Sequence, residues 1–319
     1  IDDYACMSEE QRRVYVYKKM YAIVEYAINN IEFYKEHYQK KGFSLSQLKS
    51  FEDIEKIPII SKDDLLNYSL EKRSNTSLNG FLVNTGGSSG KTLTFFAQPC
   101  QIGVEWAHIH RMWAKFGFKY WHLRACFVGR SKVDNGVDYE FARHCLSIDI
   151  YKPFAEISKI LKEKLRKSPC HYLHGYPSVL SDFASYCETD SELLHLLRKQ
   201  VKAVFLNSEY PYPIYREKIE KVFQAPTHSF YGHTERCVLA SEKDEPFTFC
   251  PFQTYGYTEA LQSGDNQFDL IGTSYYNYAS PLIRYNTQDL VSDPTYSGKI
   301  LETFKIKEGR SGQTILDAN

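Results

Sequence analysis

Apolar and polar positions divide the chain into a helical beginning, an alternating middle and a strand-rich end. From Val14 to Ile31, apolar residues recur at three- and four-residue steps, which predicts a long helix with one apolar stripe. The predicted stripe comprises Val14, Tyr17, Met20, Tyr21, Val24, Ala27, Ile28 and Ile31. Ser61, with Asp64 three residues later, is a helix-start signature and predicts a short helix over Lys62–Asn67.

From Phe81 onward, apolar runs suited to strands alternate with amphipathic segments suited to helices. The predicted strands are 81–83, 92–97, 124–128 and 201–206, and the predicted helices are 102–115, 157–167 and 215–222. Such alternation predicts an α/β fold with a mixed or parallel sheet and flanking helices. Residues 247–304 instead carry Tyr, Phe and Ile runs broken by Gly and Pro, which predicts a β-rich subdomain of the same lobe.

Composition and charge narrow the class of protein. Hydrophobic residues make up 43% and charged residues 24% of the 319 positions, which is typical of a globular domain. The 39 basic and 39 acidic residues balance, whereas a nucleic-acid-binding protein usually has a basic excess, so no nucleic-acid partner is expected. No apolar run approaches the roughly 20 residues of a membrane span, and the first ten residues do not resemble a signal peptide.

The eight cysteines are dispersed and form no CxxC pair. In a chain of this length, scattered cysteines are typical of reduced thiols, so a cytoplasmic location is expected. His228, His233, Cys237 and Cys250 suggest zinc as an alternative, but their spacing does not match a standard structural zinc site.

The strongest chemical feature is the segment Asn84–Lys91, which reads NTGGSSGK. Its glycines allow backbone N–H groups to turn toward an anion, while hydroxyl side chains and a lysine add donors and positive charge. The segment therefore predicts a polyphosphate-binding loop formed by Thr85, Gly86, Gly87, Ser88, Ser89, Gly90 and Lys91.

Two other interpretations of this loop remain open. Thr85–Thr92 differs from the P-loop pattern GxxxxGK[ST] only at its first position, but a P-loop must begin a helix. Here the following residues alternate as a strand, and Pro99 comes soon after, which argues against a P-loop. A purely structural Gly-rich turn is the second alternative.

With this loop, four motifs occur in the order found in adenylate-forming enzymes, which the chain resembles. The Gly-rich loop between two strands is similar to that family's phosphate loop, and Tyr231–Glu235 (YGHTE) resembles its YGxTE segment. Arg284–Leu290 (RYNTQDL) resembles the RYRTxDL segment, and Gly309-Arg310 resembles the interdomain hinge.

Further segments resemble the phenylacetate–CoA ligase branch of the family, which includes relatives encoded among capsule polysaccharide functions. They are Asn30–Tyr34 (NIEFY), Ile57–Leu65 (IPIISKDDL), Gly175–Ser178 (GYPS) and the pair Ser208-Glu209. The resemblance covers nearly the whole chain. It implies the large N-terminal lobe of an adenylate-forming enzyme.

Within that lobe, the resemblance implies four segments. Residues 1–75 would be a helical region packed on the core, 76–246 the nucleotide-binding core, 247–305 the β-rich subdomain, and 306–319 the hinge and the start of a small C-terminal lobe. In the family that mobile lobe has roughly 100 residues, an ordinary domain size, and carries a catalytic lysine. The natural chain is therefore expected to continue past Asn319, the alternative being a single-lobe variant that uses a partner.

The resemblance also implies an ATP-dependent ligase that converts a small-molecule carboxylate to acyl-AMP and then passes the acyl group to coenzyme A or another thiol or amine. ATP and Mg²⁺ are the expected cofactors, with coenzyme A as a further one. A nucleotide-binding interaction protein without ligase turnover is the alternative function.

The implied roles fall on individual residues. Glu235 would bind Mg²⁺, and Asp289 would hold the ribose hydroxyls. Tyr231 and Gly232 would lie near the adenine, Thr234 would reach the α-phosphate or the acyl-adenylate, and His233 would also contact the nucleotide. Ser208 and Glu209 follow a predicted strand at the expected adenine edge. The residues expected to take part in catalysis are Lys91, Thr234, Glu235 and Arg310.

The acyl pocket of this branch would be bordered by His174, Gly175 and Tyr176, with Arg130 near a carboxylate or phosphate. His174 could equally be a structural histidine. Arg284 could be a structural ion-pair partner or could face the nucleotide.

Overall fold

The computed structural model describes residues 1–85, 92–129 and 133–310, and it divides the chain into two compact units. Unit 1 comprises Ile1–Ile109 and Gly232–Asn319, and unit 2 comprises His110–Tyr231. These limits differ from the four segments expected from the sequence, which remain a prediction about domains. None of the described helices is both long and apolar enough to cross a membrane.

Unit 1 begins with helices, as the sequence predicts. They are α1 (Asp2–Ala5), α2 (Glu9–Asn30), α3 (Glu32–Lys40) and α4 (Lys62–Leu66). The Ser61 hydroxyl accepts the Asp64 N–H and the Asp64 carboxylate accepts the Ser61 N–H, so the predicted capping box of α4 is confirmed.

The apolar stripe of α2 was predicted only in part. Met20, Val24 and Ala27 are buried as expected, but Val14 is 40% exposed. Val16 and Ile23 are buried instead, so the buried face is rotated from the predicted one. Tyrosines and lysines on the flanks can keep a polar tip in water, which blurs the edge of such a stripe.

A short hairpin and the beginning of a helix complete the first part of unit 1. Strand β1 (Phe81–Asn84) pairs antiparallel with β2 (Thr94–Ala97), and Asn84 lies opposite Thr94. Helix α5 (Pro99–Trp113) follows. The predicted strand–loop–strand arrangement is therefore confirmed, and it excludes the helix that a P-loop would begin.

Unit 2 is a sheet with helices. Its strands are β3 (Arg124–Phe127), β4 (Val137–Glu140), β5 (Cys145–Ile148), β6 (Tyr172–Gly175), β7 (Ala203–Leu206) and β8 (Thr227–Gly232). Its helices are α6 (Phe154–Lys167), α7 (Pro177–Cys187), α8 (Ser191–Gln200) and α9 (Pro213–Phe223). The strand order is β8-β7-β6-β3-β5-β4 and only β4 is antiparallel to its neighbour. The α/β prediction is confirmed, and every residue of β3, β5, β6 and β7 is buried, as in sheets covered on both faces.

The later part of unit 1 is an antiparallel sheet, which confirms the predicted strand-rich end. Its strands are β9 (Leu239–Glu242), β10 (Thr248–Pro251), β11 (Gly256–Gly264), β12 (Gln267–Ser274), β13 (Tyr285–Ser297) and β14 (Ile300–Arg310), in the order β11-β12-β13-β14-β10-β9.

Two glycines of this sheet allow a loop to lie directly against it. A Cβ atom at Gly256 would lie 2.3 Å from the Cys237 carbonyl oxygen, and one at Gly272 would lie 2.7 Å from both the Cys237 Cβ and the Val238 Cγ2. Side chains at these two positions would therefore push the Cys237-Val238 segment away. The turn that precedes this segment carries the YGHTE residues of the expected site.

Candidate active site

Glu235 lies in the turn after β8 and is held at both carboxylate oxygens. Its side chain is only 12% exposed. Its Oε2 lies 3.1 Å from the Nδ1 of His233, and its Oε1 accepts a hydrogen bond from the Tyr285 hydroxyl at 3.4 Å. Both partners belong to unit 1, so this unit by itself orients the carboxylate.

The orientation of His233 is fixed by the backbone. The Val238 N–H donates to His233 Nε2 at 3.1 Å, so Nε2 is an acceptor and carries no proton. In the neutral ring the proton is then on Nδ1, from which it is donated to Glu235. The sequence comparison treated this position as variable within YGxTE, yet the structure shows that its side chain positions the carboxylate.

The Glu235 carboxylate is ionised at neutral pH. Burial by itself would raise its pKa, but the hydrogen bond from His233, with the nearby charge of Lys62, opposes burial, and the pKa is lowered to about 2. Burial and the Glu235 charge in turn raise the pKa of the Tyr285 hydroxyl, so that this group stays a proton donor.

Lys62 lies near Glu235, and the sequence did not predict this. In the sequence, Lys62 served only as the first residue of a predicted helix. It is the first residue of α4 and is only 7% exposed. Lysine is almost never buried to this extent without a charged or polar environment. The sequence around Lys62 does not indicate that this side chain is buried. The two acidic residues that follow it, Asp63 and Asp64, suggest a helix end exposed to solvent.

Asp289 lies on β13, directly opposite Arg310 of β14 in the strand pairing. The pairing changes register between Asp289 and Val291, and such bulges redirect side chains near functional sites. The Asp289 N–H donates to the Thr287 hydroxyl at 3.2 Å. The backbone of the expected hinge, Gly309-Arg310, is the end of a long strand.

Thr85 closes the base of the expected phosphate loop. Its N–H donates to the Leu93 carbonyl at 3.0 Å, and its hydroxyl oxygen accepts the Leu93 N–H at 3.0 Å. Among the described residues, this oxygen serves only as an acceptor, which leaves its proton for a further acceptor. The other expected loop residues lie outside the described residues, as does Arg130: Gly86, Gly87, Ser88, Ser89, Gly90 and Lys91.

In unit 2, the structure brings several expected residues to one edge of the parallel sheet. Gly129 follows β3, Tyr176 follows β6 and Ser208 follows β7, so all three lie beyond the carboxyl ends of neighbouring parallel strands. Ligands of open α/β sheets bind at this edge. Ser208 has a φ of 67°, a left-handed conformation that is costly for a residue with a side chain and is enriched at functional sites.

The Glu209 carboxylate accepts hydrogen bonds from the first turn of α7. Its Oε2 accepts hydrogen bonds from the Ser178 N–H at 3.1 Å and the Ser178 hydroxyl at 2.7 Å. Because Ser178 lies in the first turn of α7, the carboxylate satisfies a helix N–H that has no partner within the helix. A contact to nucleotide would have to use its other oxygen.

His174 and Gly175, expected beside the acyl pocket, have evident packing roles. His174 is 7% exposed, its ring centroid lies 5.0 Å from that of Trp113, and its Nδ1 lies 3.9 Å from the Cys126 sulfur. A Cβ at Gly175 would lie 2.3 Å from the Phe127 carbonyl oxygen, so only glycine fits between β6 and β3. Tyr176 remains half-buried at the sheet edge.

The remaining residues of YGHTE differ in exposure. Tyr231 is half-buried in unit 2, whereas Gly232 and Thr234 of unit 1 are exposed. An exposed hydroxyl and an exposed backbone in the same turn as a held carboxylate suit contacts with a polar ligand.

Arg284, for which the sequence left two roles open, is a structural ion-pair partner in the folded protein. Its guanidinium donates to both carboxylate oxygens of Glu259 at 2.9 Å and to the carbonyl oxygens of Glu55 and Ile57 at 2.8 and 2.6 Å. Arg284 is only 3% exposed, and these four bonds use it as a structural ion-pair partner.

The zinc alternative gains no geometric support. Among residues 1–85, 92–129 and 133–310, no three His, Cys, Asp or Glu side chains are grouped so that they could hold a metal ion. His228 is buried, with its ring centroid 5.0 Å from that of Phe116, and Cys237 is fully buried.

Comparison with known proteins defines the class of fold. The chain has the fold of adenylate-forming enzymes. It is similar to 2-hydroxyisobutyryl-CoA ligase in an open conformation with 2-HIB-AMP and CoA, with a TM-score of 0.74, 18% identity, and coverage of 96% of this chain and 76% of that one. It is also similar to the acyl acid amido synthetase AtGH3.15 in complex with 2,4-DB, with a TM-score of 0.56, 11% identity, and coverage of 92% and 67%.

Among curated proteins, the chain is similar to Protein CapK of Staphylococcus aureus, with 27% identity over 276 residues. The match covers 83% of this chain and 60% of CapK, so the chain spans about 60% of the length of this relative. No family model matches the chain.

Proposed function

We propose that the protein activates a carboxylate with ATP, as an AMP-forming ligase of the phenylacetate–CoA ligase type. The observation that carries this proposal is the buried, ionised Glu235, held by His233 and Tyr285 in the YGHTE turn of an adenylate-forming fold. A carboxylate that the protein keeps ionised and oriented away from bulk water is suited to binding a charged ligand, and such perturbed groups cluster at functional sites.

In the proposed reaction, a carboxylate oxygen attacks the α-phosphorus of ATP. The bond from that phosphorus to the bridging oxygen breaks, which gives acyl-AMP and pyrophosphate. A thiol or amine then attacks the acyl carbonyl carbon and AMP leaves. Because two anions must approach each other, catalysis would depend on positioning and charge neutralisation.

The surroundings of Glu235 are suited to binding a divalent cation. Glu235 provides an ionised hard oxygen ligand, and one or two carboxylates with substrate phosphates are what Mg²⁺ usually takes. When bound, Mg²⁺ would neutralise charge on the phosphates. His233 would hold the carboxylate in one orientation, and Lys62 would add positive charge beside it.

The other residues would hold the nucleotide. Thr85 would donate its hydroxyl proton toward phosphate, with the loop residues up to Lys91 adding donors and charge. Asp289 would accept hydrogen bonds from the ribose hydroxyls, and Ser208 and Tyr231 would border the adenine. Thr234 and Arg310 would act on the α-phosphate and the acyl-adenylate.

The acceptor and the biological setting are also proposed. The 2-hydroxyisobutyryl-CoA ligase is a CoA ligase and AtGH3.15 is an amido synthetase, which supports a thiol or an amine as the acceptor. Similarity to CapK supports a role in capsule polysaccharide biosynthesis. Use of ATP and coenzyme A supports action in the cytoplasm.

ATP–pyrophosphate exchange with a panel of carboxylates tests this function. We expect exchange that requires one class of carboxylate and Mg²⁺, and we expect Glu235→Gln to abolish it while the protein stays folded. Glu217→Gln, which changes an exposed glutamate of α9, serves as the matched control and should exchange normally. Nucleotide binding without exchange for any carboxylate would instead favour an interaction protein without ligase turnover.

A further inference from the structure

Unit 2 has a second groove, at the opposite edge of its sheet from Tyr176 and Ser208. Its cavity of about 590 Å³ is lined by residues just before β3, including Trp121 and His122, and by residues of β4, β5 and the end of α6. Known small-molecule sites range from roughly 300 to 1,000 Å³, so the size suits a small ligand. The amino ends of β3 and β6 border this groove, whereas their carboxyl ends border the site described above.

Two exposed aromatic rings form one wall of the groove. Trp121 is 55% exposed and Tyr139 is 42% exposed, although aromatic side chains gain most by burial. The Tyr139 hydroxyl lies 2.8 Å from His144 Nδ1, and His144 Nε2 lies 3.0 Å from the Trp121 carbonyl oxygen. Since only a donor can bond that carbonyl, Nε2 carries the proton and Nδ1 accepts from Tyr139. His144 thereby connects the two aromatic residues and keeps the wall in place.

Two lysines give the groove a positive charge. Lys164 and Lys167 line it from the last turns of α6, three residues apart and thus on one face of the helix. Arg166 of the same turn forms an ion pair with Glu192, but no carboxylate in the described part of the chain pairs with Lys164 or Lys167. The lining contains no Asp or Glu. Cations favour helix carboxyl ends in general, but that preference does not explain why these two face a cavity.

The histidines add hydrogen-bonding groups without charge. The rings of His122 and His171 stack with centroids 4.8 Å apart, and both line the groove. Burial, followed by the charge of Lys202, lowers the pKa of each, so both are neutral at neutral pH. The positive charge of the groove therefore comes from its lysines.

We propose that this groove binds a small aromatic anion, with its ring against Trp121 and Tyr139 and its acidic group at Lys164 and Lys167. Nothing in the proposed ligase reaction assigns a ligand to this edge of the sheet. The inference is independent of that function, since it rests only on unit 2.

Binding of 8-anilinonaphthalene-1-sulfonate, an aromatic anion that fluoresces when bound, tests the inference. We expect saturable binding that weakens about tenfold in Lys164→Gln/Lys167→Gln, the effect of losing roughly one charge-assisted hydrogen bond. Lys159→Gln/Lys199→Gln removes two exposed lysines outside the groove and should bind like the unchanged protein. Trp121→Ala should weaken binding, and Trp121→Phe should restore most of it.

Three results would overturn the inference. Equal affinity in the two double-lysine variants would exclude Lys164 and Lys167 as the anion site. Displacement of the dye by ATP with Mg²⁺ would assign the dye to the nucleotide site. Displacement by glucuronate as effective as that by 2-naphthalenesulfonate would exclude the aromatic preference. Circular dichroism and melting temperature of each variant ensure that only folded protein is compared.

Discussion

At the residue scale, His233 connects the backbone to the carboxylate that the proposed chemistry needs. Its Nε2 accepts the Val238 N–H, its Nδ1 donates to Glu235, and its side chain is 6% exposed. Loss of residues that orient metal ligands commonly costs 10- to 100-fold in metal affinity, as an order of magnitude. His233 thus acts on the proposed cation through Glu235 and not by contact.

For His233→Ala we therefore predict a concentration of Mg²⁺ at half-saturation about tenfold higher in pyrophosphate exchange. Binding of Mn²⁺ in the presence of ATP, followed by electron paramagnetic resonance, should weaken in parallel, while binding of ATP without metal stays the same. His195→Ala, an exposed histidine of α8, is the matched control. If metal-free ATP binding falls as much as metal binding, His233 has a general structural role instead.

A second prediction at this scale concerns pH. The folded pKa of Glu235, about 2, lies below its ordinary value of 4.5, so the folded state binds its proton less readily than the unfolded state. Its contribution to the free energy of unfolding is thus complete above about pH 5.5 and disappears as the pH falls from 4.5 toward 2.

Urea unfolding of the unchanged protein and of Glu235→Gln between pH 3 and pH 7 measures this contribution. We expect a difference on the order of 3 kcal/mol at pH 7 that shrinks steadily below pH 4.5. A difference that is constant with pH would show that the ionisation of Glu235 is not linked to folding.

At the scale of elements, the Glu235 turn depends on strands that let it approach closely. A Cβ at Gly256 would lie 2.3 Å from the Cys237 carbonyl oxygen and 2.6 Å from that of Thr273, and backbone atoms cannot easily move away. We predict that Gly256→Ala destabilises the protein by about 2 kcal/mol or more, since overpacking of this kind typically costs 1–3 kcal/mol. Denaturant unfolding gives the difference.

Gly103 provides the control, because it lies inside helix α5 and a Cβ there would meet nothing within 4 Å. Gly103→Ala should stabilise the protein by roughly 0.5–1 kcal/mol through helix propensity. Equal effects of the two substitutions would mean that the close approach at Gly256 has no energetic consequence.

The sequence predicted elements well where one local signal decides the structure. The Ser61–Asp64 capping box and the alternation of Leu93, Phe95 and Ala97 involve neighbouring residues only, and both are confirmed. The hairpin of β4 and β5 was missed because its segments, VDYE and CLSI, have only four residues each, which is too short for a periodic pattern to identify a strand with assurance. Burial of Lys62 and the role of His233 depend on contacts that are made only after folding.

At the scale of the whole molecule, the order of motifs along the chain predicted the fold class and the general architecture, and both are confirmed by the relatives. Because such motifs are short, they indicate the fold but do not predict which side chains each residue contacts. Glu209, for example, was assigned to the adenine edge, and no feature of the sequence showed that its carboxylate would satisfy the start of α7.

Nucleotide binding should stabilise the molecule as a whole. A ligand that binds only the folded state at about 100 times its Kd adds roughly 2.7 kcal/mol. We predict that ATP with Mg²⁺ raises the melting temperature and that Asp289→Ala weakens this effect, because on the order of 1.5–3 kcal/mol is lost with hydrogen bonds to a charged group. Asp182→Ala, a change on the surface of α7, should leave the ATP effect unchanged. An unaltered shift in Asp289→Ala would remove Asp289 from the nucleotide site.

Strand β4 stands at the end of the unit 2 sheet, antiparallel to β5 and only four residues long. An outermost strand offers free backbone groups to any other extended chain, which is how edge-to-edge aggregation begins. In β4 the alternation of Val137 and Tyr139 with Asp138 and Glu140 puts two acidic side chains on this short edge. Two such strands side by side would bring like charges together, so the acidic side chains protect this edge from pairing with a second copy of itself.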